Sequence, residues 1–197
     1  IKCNSFMVTA KVWKASVFGF ILLLFSSVSA QGESPWFWIF HEIDADVHAS
    51  TLTQVVYDSK DRPHVAYLKR GKLYHAVLNG VFWDISEVGD GGDHVDMALD
   101  ANDVPHIVYH YSGARFTRYS TLQSASWSTL EVARLGHVNA NYNSIAVDSE
   151  FRVHLTYVPV YSDNEFKSIT YATVENGVLG ESTRIADNIG GKWSDMV

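Results

Sequence analysis

The feature that most constrains this chain is an internal repeat. Val55-Val56-Tyr57-Asp58-Ser59-Lys60-Asp61-Arg62-Pro63-His64-Val65-Ala66-Tyr67 returns as Met97-Ala98-Leu99-Asp100-Ala101-Asn102-Asp103-Val104-Pro105-His106-Ile107-Val108-Tyr109. It returns again as Ile145-Ala146-Val147-Asp148 leading to Val153-His154-Leu155-Thr156-Tyr157, so that the histidines stand 42 and 48 residues apart. A third segment follows each copy: Leu73-Tyr74-His75-Ala76, Phe116-Thr117-Arg118-Tyr119-Ser120 and Ile169-Thr170-Tyr171-Ala172. A fourth opens on Trp83 and reaches Glu87-Val88, then opens on Trp127 and reaches Glu131-Val132, with Gly180 in the tryptophan's place in the last copy. Such copies each fold as one supersecondary unit that buries its faces against its neighbours.

Within a copy the apolar residues alternate or cluster in short runs between turn residues, which is strand patterning; helical repeats of similar period need runs of about ten or more residues with apolar spacing near 3.6. Asn79-Gly80 and Asn176-Gly177 are predicted turns between third and fourth strands. Four short strands in about 45 residues make one propeller blade. The expected fold is therefore all-β, a β-propeller of four-stranded antiparallel blades, with about three and a half blades in this chain and about six or seven in a full ring. Trp38 followed by Glu42-Ile43 reads as a fourth strand without a blade of its own, the kind that completes the last blade of a closed ring. Trp193-Ser194-Asp195-Met196-Val197 matches the start of another first strand, as in Asp96-Met97-Ala98, which predicts a chain truncated at its C-terminus.

The first 30 residues differ from the rest. Lys11 and Lys14 precede an apolar run from Val17 to Phe25, and Ser26-Ser27-Val28-Ser29-Ala30 supplies small residues before Gln31. This is the pattern of a cleavable signal peptide over 1–30, with the propeller domain over 31–197 and the protein secreted or periplasmic. The apolar run is shorter than the roughly 20 residues a bilayer span needs, so no stable membrane anchor is expected after cleavage. Cleavage takes Lys2, Lys11 and Lys14 from the 15 bases and none of the 22 acids, leaving 12 against 22, a net −10. That surface repels phosphate backbones, and no nucleic-acid partner is expected. Cys3 lies before the cleavage site, which excludes disulfides and cysteine metal sites from the mature chain.

Asp58, His64 and Tyr67 recur as Asp100, His106, Tyr109 and as Asp148, His154, Tyr157, and the set resembles catalytic machinery. Recurrence argues for structure, because an active site needs each role once. The aspartate is expected to accept hydrogen bonds from turn amides. The histidine is expected to open the second strand as a partly buried polar tip with a partner. The tyrosine, three positions on, belongs to the opposite face, packing with Val65, Ile107 or Leu155 between blades. Ala98 and Ala146 suit the crowded centre of a ring.

The loops that break the pattern are the better guide to function. Connections from a fourth strand to the next first strand share one face with those between second and third strands. They bring together the ligand-binding candidates Asp46, His48, Asp93, His94, His137, Asn141, Tyr142 and Arg115. Carboxylates, imidazoles and amides beside aromatic rings suit a sugar, whose hydroxyls need directional partners and whose faces stack. Asp90, Asp93 and Asp96, or Asp44 and Asp46, offer oxygens to Ca²⁺ without completing a calcium-loop signature, and no cofactor is otherwise expected. His106 and His110 have the spacing of a helical zinc pair but lie on a strand, where four residues span roughly 13 Å.

The units resemble the BNR, sialidase-like propeller repeats, on Asp100, Pro105, His106, Tyr109 and Trp127 and over residues 36–197. The resemblance is one of scaffold: the Asp-box Ser-x-Asp-x-Gly-x-Thr-Trp has no clear counterpart, and Arg115, Arg118 and Arg134 form no assignable triad. It implies an exported propeller binding a glycan or polysaccharide at one mouth of its channel. The alternatives are a carbohydrate-active enzyme, hydrolase or lyase, using His94, His137 or Tyr142 with an acid, and a protein-binding scaffold; catalytic residues are not assigned.

Overall fold

The computed structural model describes residues 20–25, 37–45, 53–91, 94–111, 116–134, 143–158 and 168–186, and every regular element among them is a strand. The chain divides into two units, Ile1–Ser50 and Thr51–Val197. In the first, β1 (Phe20–Phe25), within the apolar run, pairs antiparallel with β2 (Phe37–Glu42), which carries Trp38. The predicted signal-peptide boundary at Ala30 and the C-terminal match at Trp193–Val197 lie outside the described residues.

The second unit holds three consecutive antiparallel sheets. Blade 1 is β3 (Gln54–Tyr57), β4 (Pro63–Lys69), β5 (Lys72–Asn79) and β6 (Phe82–Asp90), in that spatial order. Blade 2 repeats it with β7 (Asp96–Leu99), β8 (Pro105–Tyr111), β9 (Phe116–Gln123) and β10 (Ser126–Arg134). Blade 3 has β11 (Asn143–Val147), β12 (Val153–Tyr157), β13 (Ile169–Glu175) and a fourth strand in two pieces, β14 (Val178–Leu179) and β15 (Thr183–Ala186), both paired with β13. The first strands β3, β7 and β11 lie side by side, so the blades meet along their first edges as in a propeller. Pro63 and Pro105 open second strands, where the missing N–H costs the ladder least.

The second strands of blades 1 and 2 are buried on both faces, which explains why β4 and β8 read as near-continuous apolar runs. Ala66, Leu68, Leu73 and Val88 of blade 1 pack with Val95, Met97, Ile107 and Tyr109 of blade 2. Val108, Tyr119 and Val132 of blade 2 pack with Ile145, Val153, Leu155, Tyr157, Ala172 and Val174 of blade 3. Ile107 and Val108, adjacent in sequence and 0% exposed, thus serve different interfaces. Each such side chain contributes roughly 1.5–3 kcal/mol by burial. The Glu-Val repeat of the fourth strands is a repeated β-bulge. Val88 and Val132 are skipped in the pairing and turn inward, at 6% and 7% exposed. Ile185 is skipped in the same way in blade 3 but stays 57% exposed.

The third-to-fourth turns differ from blade to blade. Asn176-Gly177, with φ of 52° and 75°, forms the predicted primed turn. In blade 1 Asn79 pairs with Phe82, so the turn is Gly80-Val81, one residue beyond the prediction, with Gly80 supplying the positive φ. Blade 2 turns on Ser124-Ala125, both left-handed at 48° and 68°, with neither glycine nor asparagine present. Gly180 explains the lost tryptophan of blade 3: its N–H donates to the Thr173 carbonyl at 2.8 Å, and an added Cβ would lie 2.8 Å from Thr173 Oγ1.

Candidate functional site

The repeated aspartates occupy the turns between first and second strands as expected. Asp58 Oδ1 accepts from the amides of Lys60 and Arg62 at 2.9 and 2.8 Å. Asp100 does the same with Asn102 and Val104, and Asp148 with Glu150 and Arg152. The second oxygen points at the histidine two residues into the next segment: His64, His106 and His154 Nε2 lie 3.5, 3.6 and 3.1 Å from it. The other imidazole nitrogen meets the third strand, because His106 and Tyr119, like His154 and Tyr171, are diagonal neighbours on one sheet face. Both Nδ1 to phenol distances are 2.6 Å. In blade 1 the phenol is replaced by a second imidazole, with His64 Nδ1 3.0 Å from His75 Nε2. The tyrosine three positions after the histidine is therefore not its partner. Tyr109 and Tyr157 join the opposite-face cores with Ile107 and Leu155, whereas Tyr67 stacks on Tyr74.

These relays sit deeper than a polar tip, since His64 and His106 are buried. Burial opposes ionisation of Asp58, but the amides and guanidinium of Arg62 and the amide of Lys60 outweigh it and hold the carboxyl at about 2. Burial pushes the Tyr119 phenol up to about 12 and depresses His106 against the pull of Asp100. A set that recurs in all three blades, its histidine buried in two of them, serves to hold the sheets together.

The opposite end of the blades is where their differences gather. Gln54, Asp96 and Ser144 each stand four residues before a turn aspartate, and so at one level on the three first strands. Asp96 Oδ1 accepts from Gln54 Nε2 at 2.8 Å and from Met97 N at 2.9 Å. Its Oδ2 accepts from Ser144 Oγ at 3.1 Å and Ile145 N at 3.0 Å. Four bonds occupy the acceptor sites of one carboxylate, which suits Asp96 to hold three blades in place at the rim. Half-buried His94 precedes it in left-handed backbone, φ 59°, and its carbonyl accepts from Asn143 Nδ2 at 3.3 Å. Seven other non-glycine residues among those described share a positive φ, so this one marks a tight connection into β7. The connection leaving β6 is pinned by Gly91, whose N–H donates to Gly71 O at 2.9 Å and whose Cβ position lies 2.4 Å from Leu68 Cδ2. In blade 2, the Arg118 guanidinium lies 4.1 Å over the Tyr111 ring while Nη2 donates to Glu131 at 3.0 Å.

Of the ligand-binding candidates, His94 is placed at this rim; Asp46, His48, Asp93, Arg115, His137, Asn141 and Tyr142 lie outside the described residues. His106 and His110 both lie on β8. No group of three or more His, Cys, Asp or Glu side chains placed to hold a metal occurs among the described residues. Sequence reasoning missed Gln54 and Ser144 and saw Asp96 only as a calcium ligand, although their shared offset from the turn aspartates marks them. It also passed over His75, which stands where Tyr119 and Tyr171 stand.

Fold and rim together define three consecutive blades of a β-propeller-like scaffold. No protein-family model matches the chain, and no curated protein matches it. Among solved structures it is similar to one titled bifunctional GH43-CE, from Bacteroides eggerthii, at 8% identity and a TM-score of 0.44. The match covers 89% of this chain and 27% of that one, so the chain spans about a quarter of that structure's length.

Proposed function

We propose that this chain is part of an exported, BNR-like propeller that binds glycans through the polar rim at one mouth of its channel. The observation that carries the reading is the contrast between the two ends of the blades. The turn end repeats one aspartate motif three times, while the rim end sets Gln54, Asp96 and Ser144 at one level beside a strained His94. Repetition is spent on the scaffold and variation on the rim, as in a protein whose loops read a ligand. The half-buried His94 imidazole, on a rim held in place by Asp96, suits the hydroxyl donors and acceptors of a sugar ring. Asp96, fully engaged by its neighbours, favours binding over acid–base chemistry.

A glycan array probed with the protein tests this reading, and a blank array sinks it. His94→Gly sharpens the test, since glycine relaxes the left-handed backbone and removes the imidazole. Glycan binding is expected to fall at least tenfold with no loss of thermal stability. Turnover of the bound glycan that disappears in the same variant would move the protein into the enzyme class instead.

A further inference from the structure

We propose that His64 and His75 form an acid-sensitive latch between blades 1 and 2, which loosens that interface before the one between blades 2 and 3 as the medium acidifies. The two imidazoles are 4% and 3% exposed, with ring centroids 5.0 Å apart and facing nitrogens at 3.0 Å. Blade 2 closes over them: the Trp127 ring of β10 meets His75 edge-on at 5.4 Å, and its indole N–H donates to Ser86 Oγ of β6 at 3.0 Å. The charges that reach the pair are Asp58 and Arg62 from the β3–β4 turn and Asp103 from the β7–β8 turn. On β10, Glu131 is engaged with Arg118, and Tyr109 of β8 is turned to Ser120.

The difference from the other blades lies in what the partner of the histidine tolerates. A phenol hydroxyl donates to a neutral Nδ1 and, by rotating, accepts from the N–H of an imidazolium, so Tyr119 and Tyr171 follow their histidines through protonation. Two facing imidazoles share one proton between them. A first added proton is held on His64, with Nε2–H toward Asp58 and Nδ1–H donated to His75. A second sets two N–H groups and two positive charges head to head in a dry site. Blade 1 therefore has no doubly protonated arrangement that keeps its neighbour in place.

The sign follows from which state binds the protons. Burial, and then the charge of His64, hold His75 down to about 3; burial also holds His64 below its ordinary value against the pull of Asp58. In the unfolded chain both imidazoles take up protons near pH 6.5; in the folded chain His75 does so only toward about pH 3, and His64 below its ordinary value. Stability is thus full above about pH 6.5 and is lost as pH falls through that window, by up to tenfold in the unfolding constant per pH unit for each proton. His106, also depressed by burial, lies on the face that blade 2 turns to blade 3 and opposes the difference between interfaces, but its phenol partner Tyr119 can accept from the protonated ring.

The test compares urea denaturation of the wild type and His75→Tyr from pH 7.5 to pH 5, with native-state hydrogen exchange of the wild type at both ends of the range. The tyrosine variant, carrying the relay of the other blades, is expected to lose about one proton from the pH slope, or tenfold per pH unit. In the wild type, amides of β4 and β5, corrected for intrinsic rate, are expected to open at pH 5 ahead of those of β12 and β13. Equal slopes in a folded His75→Tyr overturn the proposal. So does simultaneous opening of the two interfaces in the wild type, which decides the matter alone should the variant fail to fold.

Discussion

Blade 2 and blade 3 carry the same pattern in different surroundings. On the face that blade 2 turns to its successor, His106 and Asp100 side chains are 10% and 9% exposed; on the matching face of blade 3, His154 and Asp148 are each 25% exposed. The bulged residue changes more, from Val132 at 7% to Ile185 at 57%. Most of the relay geometry does not change: both phenols sit 2.6 Å from the imidazole and both aspartates hold two turn amides, while the imidazole–aspartate distance shortens from 3.6 Å in blade 2 to 3.1 Å in blade 3. Hydrogen bonding is therefore a property of the single blade, whereas burial is a property of the pair. In blade 3 Arg152 stands where blade 2 has Val104, and its Nε donates to Asp148 at 2.8 Å, as that of Arg62 does to Asp58 in blade 1; His154 and then Arg152 hold that carboxyl well below its usual range.

The strongest way to break this comparison is a charge at the bulge. Val132→Asp is expected to cost ~3–5 kcal/mol, the penalty of an uncompensated buried charge, while Ile185→Asp stays within about 0.5 kcal/mol, both by urea denaturation of this chain. Equal costs would mean that the blade 3 face is covered. Asp96→Ala removes the acceptor shared by three blades and strands the buried Ser144 hydroxyl; a loss of ~2–4 kcal/mol is expected, with hydrogen exchange rising in β3 and β11 together. Gly91→Ala forces a Cβ against Leu68 and the Leu73 backbone, for a loss of ~1–3 kcal/mol confined to the blade 1 side.

A smaller effect comes from the tie between turns. Ser59 donates through its amide and hydroxyl to Asp103 at 2.8 and 2.7 Å, joining blades 1 and 2. The matching positions of blades 2 and 3 hold Ala101 and Phe151, whose side chains offer no such bond. Asp103→Ala is expected to lower the melting temperature slightly, and a melting curve unchanged by it would show that solvent already satisfies the pair. Finally, replacing Ser124-Ala125 with Asn-Gly relieves two left-handed residues and is expected to raise stability by about 1 kcal/mol.

The strands, their order and the turn aspartates were legible in the sequence because each rests on local chemistry repeated three times. The rim was legible in outline only. Asp96, Gln54 and Ser144 differ in type, so only their common offset from the turn aspartates marks them in the sequence, and the side-by-side placement of β3, β7 and β11 shows one carboxylate serving three strands. His75 escaped for the opposite reason: it hides inside a repeat, as a substitution of one hydrogen-bonding ring for another. The turn at Gly80 was misplaced by one residue because Asn-Gly fits either side of the register until Asn79 is seen to pair with Phe82.

The alternation of Ile107 and Val108 between two cores has an evolutionary consequence. The stretch that is copied as a gene segment and the space that is filled by packing are out of phase: each copied unit supplies the right wall of one gap and the left wall of the next. Duplicating a whole unit adds one complete gap and leaves every old one intact, so a chain of this kind lengthens by whole units at little cost. A crossover that joins the front of one copy to the back of another, by contrast, mismatches two gaps at once, and selection on either is selection on both.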